Sequence, residues 1–123
     1  MKEQLIKFET AKLAKEKGFD IKVPNVWYNN GVSKCRIVTS DTLFDTEYYA
    51  PTQSLLQRWL REIHNIHIQI QVLGQFVCEE NKFYCQVIEF GENKWVSKYV
   101  STKLIYNYEE ALERGLQEAL KLI

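Results

Sequence analysis

His64 and His67 stand three residues apart in this 123-residue chain, and Cys78 and Cys85 follow, so four side chains able to bind a soft metal fall in one stretch. Structural zinc sites pair their ligands more tightly, as Cys-x-x-Cys with two histidines on one helix. Here the cysteines are seven apart around a loop and the histidines straddle a helix-to-strand boundary, so no metal and no other cofactor is expected. Nucleophilic catalysis needs a thiol or hydroxyl, a base and an orienting carboxylate. Cys35, Cys78, His64 and Glu62 supply the types, but no local signature joins them. No catalytic residue is assigned, and the chain is read as non-enzymatic. Asp41, Asp45 and Glu47 form a third group, without the dense acidic loop that wraps calcium. Alternation places Asp45 and Glu47 on one strand face, where charge keeps an edge solvated. The five glycines are scattered, which excludes a phosphate-cradling loop and with it nucleotide chemistry of the P-loop or dinucleotide kind.

Aromatic residues are the stronger lead. Trp27, Tyr28, Tyr48, Tyr49, Phe83, Tyr84, Trp95, Tyr99, Tyr106 and Tyr108 exceed the needs of one modest core. Tyrosine and tryptophan serve interfaces because one end is apolar and the other polar. Trp27-Tyr28 and Tyr48-Tyr49 lie in turn-rich or edge contexts, so these four, rimmed by Asp45 and Glu47, are the expected interaction surface for a protein partner. Trp59, on the apolar face of a helix, belongs to the core.

Three helices and five strands must position these groups. The first helix is expected over about Lys2 to Lys17, ended by Gly18 at a left-handed position. Its apolar residues are spread around the axis, which is compatible with packing between copies in a homo-oligomer. Asn29-Asn30-Gly31 marks a turn, and Cys35–Thr39 and Leu43–Tyr49 read as a first hairpin. Ala50-Pro51-Thr52 opens a second helix with Thr52 as N-cap. Leu55, Leu56, Trp59, Leu60 and Ile63 form its apolar face, and Gln53, Gln57, Arg58, Arg61 and Glu62 its wet face. Ile66, Ile68, Ile70 and Val72 alternate with His67, Gln69 and Gln71, the pattern of a half-buried strand. Phe83–Phe90 and Trp95–Val100 follow around the turn Gly91-Glu92-Asn93, giving an antiparallel meander. Asn107 and Glu110 cap a last helix that buries Leu112, Gly115, Leu116, Ala119, Leu120 and Ile123 and wets Glu113, Arg114, Gln117 and Lys121. Gly115 on the buried stripe implies close approach of another element, because glycine inside a helix costs about 1 kcal/mol relative to alanine. The class is α+β, an antiparallel sheet with helices on one face, in the order α-β-β-α-β-β-β-α. The organisation is one domain over 1–123, with a helix and hairpin over 1–49 and an α-β-β-β-α unit over 50–123.

Composition limits the function. Hydrophobic residues make up 46% and charged residues 26% of the chain, the balance of a folded domain rather than a disordered one. Sixteen basic residues meet sixteen acidic ones, so the global cationic surface that holds a duplex through its phosphates is missing. The lysines near the start (Lys2, Lys7, Lys12, Lys15, Lys17, Lys22) alternate with Glu3, Glu9, Glu16 and Asp20, a solvated helix face. No apolar run approaches the ~20 residues that span a bilayer, so no membrane partner is expected. The opening residues carry no secretory pattern, and three cysteines are an odd set for disulfides, which together place the protein in a reducing cytoplasm.

Two phrases, APTQSLLQRWLRE (Ala50–Glu62) and YEEALERGLQEALKLI (Tyr108–Ile123), stand with KFETAKLAKEKGF near the start. Together they resemble a group of small hypothetical proteins of gut anaerobic bacteria and their phages. That resemblance implies a mobile-element setting and transfers no functional residue. From Pro51 to Ile123 the order α-β-β-β-α also looks like that of double-stranded-RNA-binding domains, which read the shape and backbone of about 16 base pairs. The last helix departs from their basic signature, opening with Asn107, Tyr108, Glu109 and Glu110. Nucleic-acid binding is therefore the alternative to a protein partner, with Gln53, Gln57, Arg58 and Arg61 as its contacts.

Overall fold

The computed structural model describes residues 4–19, 21, 27–29, 32–34, 47–73, 82–101, 105 and 107–123. Helix α1 runs over Phe8–Glu16, after which β1 (Trp27–Asn29), β2 (Val32–Lys34) and β3 (Glu47–Tyr49) form a small sheet in the order β2-β1-β3. Helix α2 (Gln53–His64), the meander β4 (Ile66–Leu73), β5 (Lys82–Gly91) and β6 (Lys94–Val100), and helix α3 (Tyr108–Lys121) complete the chain. The class is α+β and the order of helices and strands follows the expected one, with β1 and β2 as further short strands flanking the turn signal Asn29-Asn30-Gly31. The strand expected over 35–39, like residues 43–46 of the next one, lies outside the described residues. Asn29 pairs with Val32 on either side of Asn30-Gly31, where the sequence carries its turn signal.

The first helix begins six residues later than its apolar spacing predicts. Residues 4–7 are extended instead: Ile6 N–H donates to the Pro51 carbonyl at 3.0 Å, and Gln53 N–H donates to the Gln4 carbonyl at 2.9 Å. The second bond satisfies an amide at the start of α2 that has no partner within its own helix. Ile6 is fully buried by this arrangement, so the segment contributes to the core as a strand-like strap. Gly18 adopts φ +94°, the left-handed conformation expected after α1.

Thr52 caps α2 as expected, its hydroxyl accepting from Leu55 N–H at 3.2 Å. Asn107 caps α3 by accepting from the amides of Glu109 and Glu110 at 2.8 and 3.2 Å. Asn65, at φ 56° and ψ 32°, passes the chain from α2 into β4 in a single left-handed step. In the meander, Ile68 faces Val87 and Ile70 faces Cys85 across the β4–β5 ladder. These residues point at the helices, and Ile66, Ile68, Val87, Leu56, Trp59, Leu60, Leu112, Leu116 and Leu120 make the core with Ile6, Ala11 and Phe19. Gly115 lets α3 sit on the sheet: a Cβ there would lie 2.6 Å from Ile68 Cγ2. The close approach read from the sequence is thus to β4.

Three residues expected elsewhere are corrected by packing. Gln53 and Glu113, read as wet, are buried, because residues 4–7 and α1 cover the ends of α2 and α3 that carry them. Ile63, read as core, is 62% exposed at the last turn of α2, beyond the reach of the sheet.

Candidate functional site

Strand alternation gives the meander two faces. The covered face carries Ile66, Ile68 and Ile70 of β4 with Cys85 and Val87 of β5, against α2 and α3. The opposite face carries His67, Gln69 and Gln71 of β4, Tyr84, Gln86, Ile88 and Phe90 of β5, and Trp95, Ser97 and Val100 of β6. No described helix lies over this second side. A register break between Val87 and Ile88 bends β5 against β6 near Lys98.

The open face holds an aromatic cluster at its hairpin end. Phe90 and Trp95 pair directly, rings 4.8 Å apart, and the His67 ring stands edge-on to Trp95 at 4.5 Å. Trp95 is 52% and Phe90 40% exposed, and Val100 further along β6 is also exposed. The hairpin turn Glu92-Asn93, with φ of 53° and 63°, holds the pair in place. Amides line the rest: Gln86 Nε2 donates to Ser97 Oγ at 3.2 Å, while Gln69 and Gln71 are exposed. None of the residues on this face is acidic. Burial, with the Arg61 guanidinium nearby, holds the His67 imidazole below its ordinary value of 6.5, so the ring is neutral at pH 7.

A second polar cluster joins the helices. The Glu113 carboxylate accepts from Thr10 Oγ1, from the Lys7 amide at 3.1 Å and from Gln53 Nε2 at 3.0 Å. Gln53 Nε2 also donates to the Glu109 carbonyl at 2.9 Å, and Gln117 Nε2 donates to Thr10 Oγ1 at 3.0 Å. A groove of about 180 Å³ adjoins this cluster, lined in part by Lys7, Asn107, Glu109 and Glu110, and another of about 380 Å³ runs between α1 and α3. Both are lined by side chains of mixed charge on the helices and the segment before α1, none of them from the aromatic face.

The residues singled out in the sequence are dispersed over other surfaces. Tyr48 and Tyr49 are half-buried against the core; Tyr48 meets Phe8 edge-on at 5.5 Å, and Lys15 Nζ lies 4.8 Å above its ring. Trp27 and Tyr28 stand in β1 opposite Tyr49 and Tyr48, and Glu47 stands in β3 opposite Asn29. Asp45 lies outside the described residues. Of the four basic and amide residues on α2, Gln53 is engaged by Glu113, and Gln57 Nε2 donates to the Ile68 carbonyl at 3.1 Å. Arg58 is exposed and pairs with Glu62 at 3.0 Å, whereas Arg61 is exposed beside His67.

The metal-capable residues do not converge. His64 packs edge-on against Trp59 at 4.7 Å with its Nε2 buried and without a hydrogen-bond partner, while His67 stands on the open face. Cys85 is buried on the covered face, where desolvation pushes its thiol pKa up, and Cys78 lies outside the described residues. Among the described residues no group of three or more histidine, cysteine or acidic side chains is placed to hold a metal ion, and no helix is long and apolar enough to cross a membrane.

One feature of the sequence does signal the open aromatic face. Lys82–Phe90 is apolar on both of its faces at Tyr84, Ile88 and Phe90 as well as Phe83, Cys85 and Val87, although β4 beside it alternates cleanly. A strand apolar on its wet side needs something to cover it. Compared with known proteins, the chain matches no family model, and no curated protein and no solved structure shows significant similarity to it.

Proposed function

We propose that this protein is a small non-catalytic binding module whose working surface is the open face of the β4–β6 meander. The observation that carries this reading is the cluster of exposed Trp95 and Phe90 with half-buried His67 on one side of a sheet whose other side is core. Aromatic side chains left half in water are costly to leave bare and profitable to cover, which is why they concentrate at the centres of interfaces. The first-hairpin tyrosines are less available, since they already pack on the core. The phage or mobile-element setting implied by the sequence resemblance is consistent with a small adaptor of this kind.

The test is capture of partners from host lysate by the tagged chain, with Trp95→Ala and Phe90→Ala together compared with Tyr108→Ala on exposed α3. The meander variant is expected to lose its bound material while keeping the wild-type thermal unfolding, and the α3 variant to retain it. Undiminished capture by the meander variant would falsify the assignment of the surface.

A further inference from the structure

The size and charge of the open face restrict what covers it. Three strands at about 4.8 Å spacing and eight residues at about 3.3 Å rise give a face roughly 14 Å by 26 Å, on the order of 400 Å². A stable protein interface takes about 800 Å² from each partner, so a second copy seated face to face would be held on about half of what it needs. A narrow ligand with flat apolar units fits better. Charge gives the rest: no carboxylate stands on the face itself, Arg61 and Lys98 are exposed around it, and at the hairpin end the register turns Lys94 to the reverse side while Glu92 sits in the turn. The ion pairs among the described residues, Arg58–Glu62, Arg114–Glu118 and Lys121–Glu118, use none of these three cations.

We infer that the open face binds single-stranded nucleic acid, with two or three unpaired bases stacked on Trp95, Phe90 and His67 and the flanking phosphates met by Arg61 and Lys98. Stacking needs exposed ring faces and tolerates any base, because every base presents a π surface. The exposed amides of Gln69 and Gln71 supply both donors and acceptors toward base edges. The net charge of zero leaves the phosphates to the local cations, and each stacked base adds to what they contribute. The inference rests on the open face being the working surface, and it names the ligand of that face.

The experiment is fluorescence anisotropy of labelled oligo(dT) and oligo(U) titrated with the full chain over a series of salt concentrations, beside a duplex of equal length. Saturable binding of the single strands is expected, with weaker binding of the duplex. Two phosphate contacts on a single strand predict a shallow plot of log affinity against log salt, with a slope of about −1.4. Trp95→Ala should weaken binding by about 10-fold or more, and Trp95→Phe should restore most of it. Absence of saturable binding, or preference for the duplex, overturns the inference. If the single strands do not bind but a nuclease-resistant protein is captured and lost with Trp95→Ala, the ligand class is wrong and the surface assignment stands. Single-strand binding unchanged by Trp95→Ala overturns both.

Discussion

At the scale of single residues, the contacts of Glu113 depend on chain more than a hundred residues away. Its donors, the Lys7 amide and Thr10 hydroxyl on one side and the Gln53 amide on the other, are all neutral, and no ion pair among the described residues includes it. A buried acceptor that satisfies several donors is costly to remove, because each orphaned group forfeits about 1–3 kcal/mol. Glu113→Ala is expected to destabilise the fold by about 2–4 kcal/mol, and Glu113→Gln by less, since the amide keeps the shape and one acceptor. Urea midpoints that leave Glu113→Ala level with wild type would remove the cluster from the account of stability. His67 gives a prediction of pH. Its folded pKa lies below its ordinary 6.5, so the unfolded chain binds the proton first on acidification. Stability from the neutral ring is fully present above 6.5 and is lost as the pH falls through the lower, folded value. His67→Gln should flatten that part of the stability curve; an identical acid dependence in the variant would show that His67 does not cause it.

At the scale of elements, legibility followed periodicity. Helices α2 and α3 and the meander were readable because their apolar residues recur at 3.6 or 2, and because Thr52 and Asn107 signal their starts locally. The start of α1 was not readable, since Leu5 and Ile6 satisfy a helical pattern and only the hydrogen bonds to Gln53 and Pro51 draw them out straight. The burial of Glu113 was hidden for a related reason: nothing near it in the chain announces Thr10. The aromatic face was half visible, as an apolar surplus in β5, but its convergence with Trp95 and His67 depends on strand register. Gly115 offers a test where two effects oppose. Alanine gains about 1 kcal/mol of helix propensity. Its Cβ, however, would press on the Cγ2 of Ile68 at 2.6 Å, and a β-branched side chain in a strand has little rotamer freedom to yield. Overpacking of this kind costs about 1–3 kcal/mol, so Gly115→Ala should be net destabilising by about 1 kcal/mol. A raised denaturation midpoint would mean that α3 shifts to make room.

At the scale of the whole molecule, the α-β-β-β-α unit over residues 50–123 shares its core and a polar cluster with the residues before it. The strap at residues 4–7 and helix α1 supply Ile6, Ala11 and Ala14 to the core and two of the donors to Glu113. A fragment of residues 50–123 is expected to keep much of its far-ultraviolet circular dichroism while losing a cooperative thermal transition. A sharp transition near that of the full chain would show the two parts to be independent.

The irregular β6 strand has a consequence for solubility. An outer strand with unused N–H and C=O groups is a template on which another copy can zip, and the danger rises when sticky rings stand beside it. Here the strand carries Lys94 and Lys98, and its register with β5 breaks between Val87 and Ile88. A neighbour approaching in register would meet like charges and then a ladder out of step. The chain can therefore keep its aromatic face bare without polymerising along the adjoining edge.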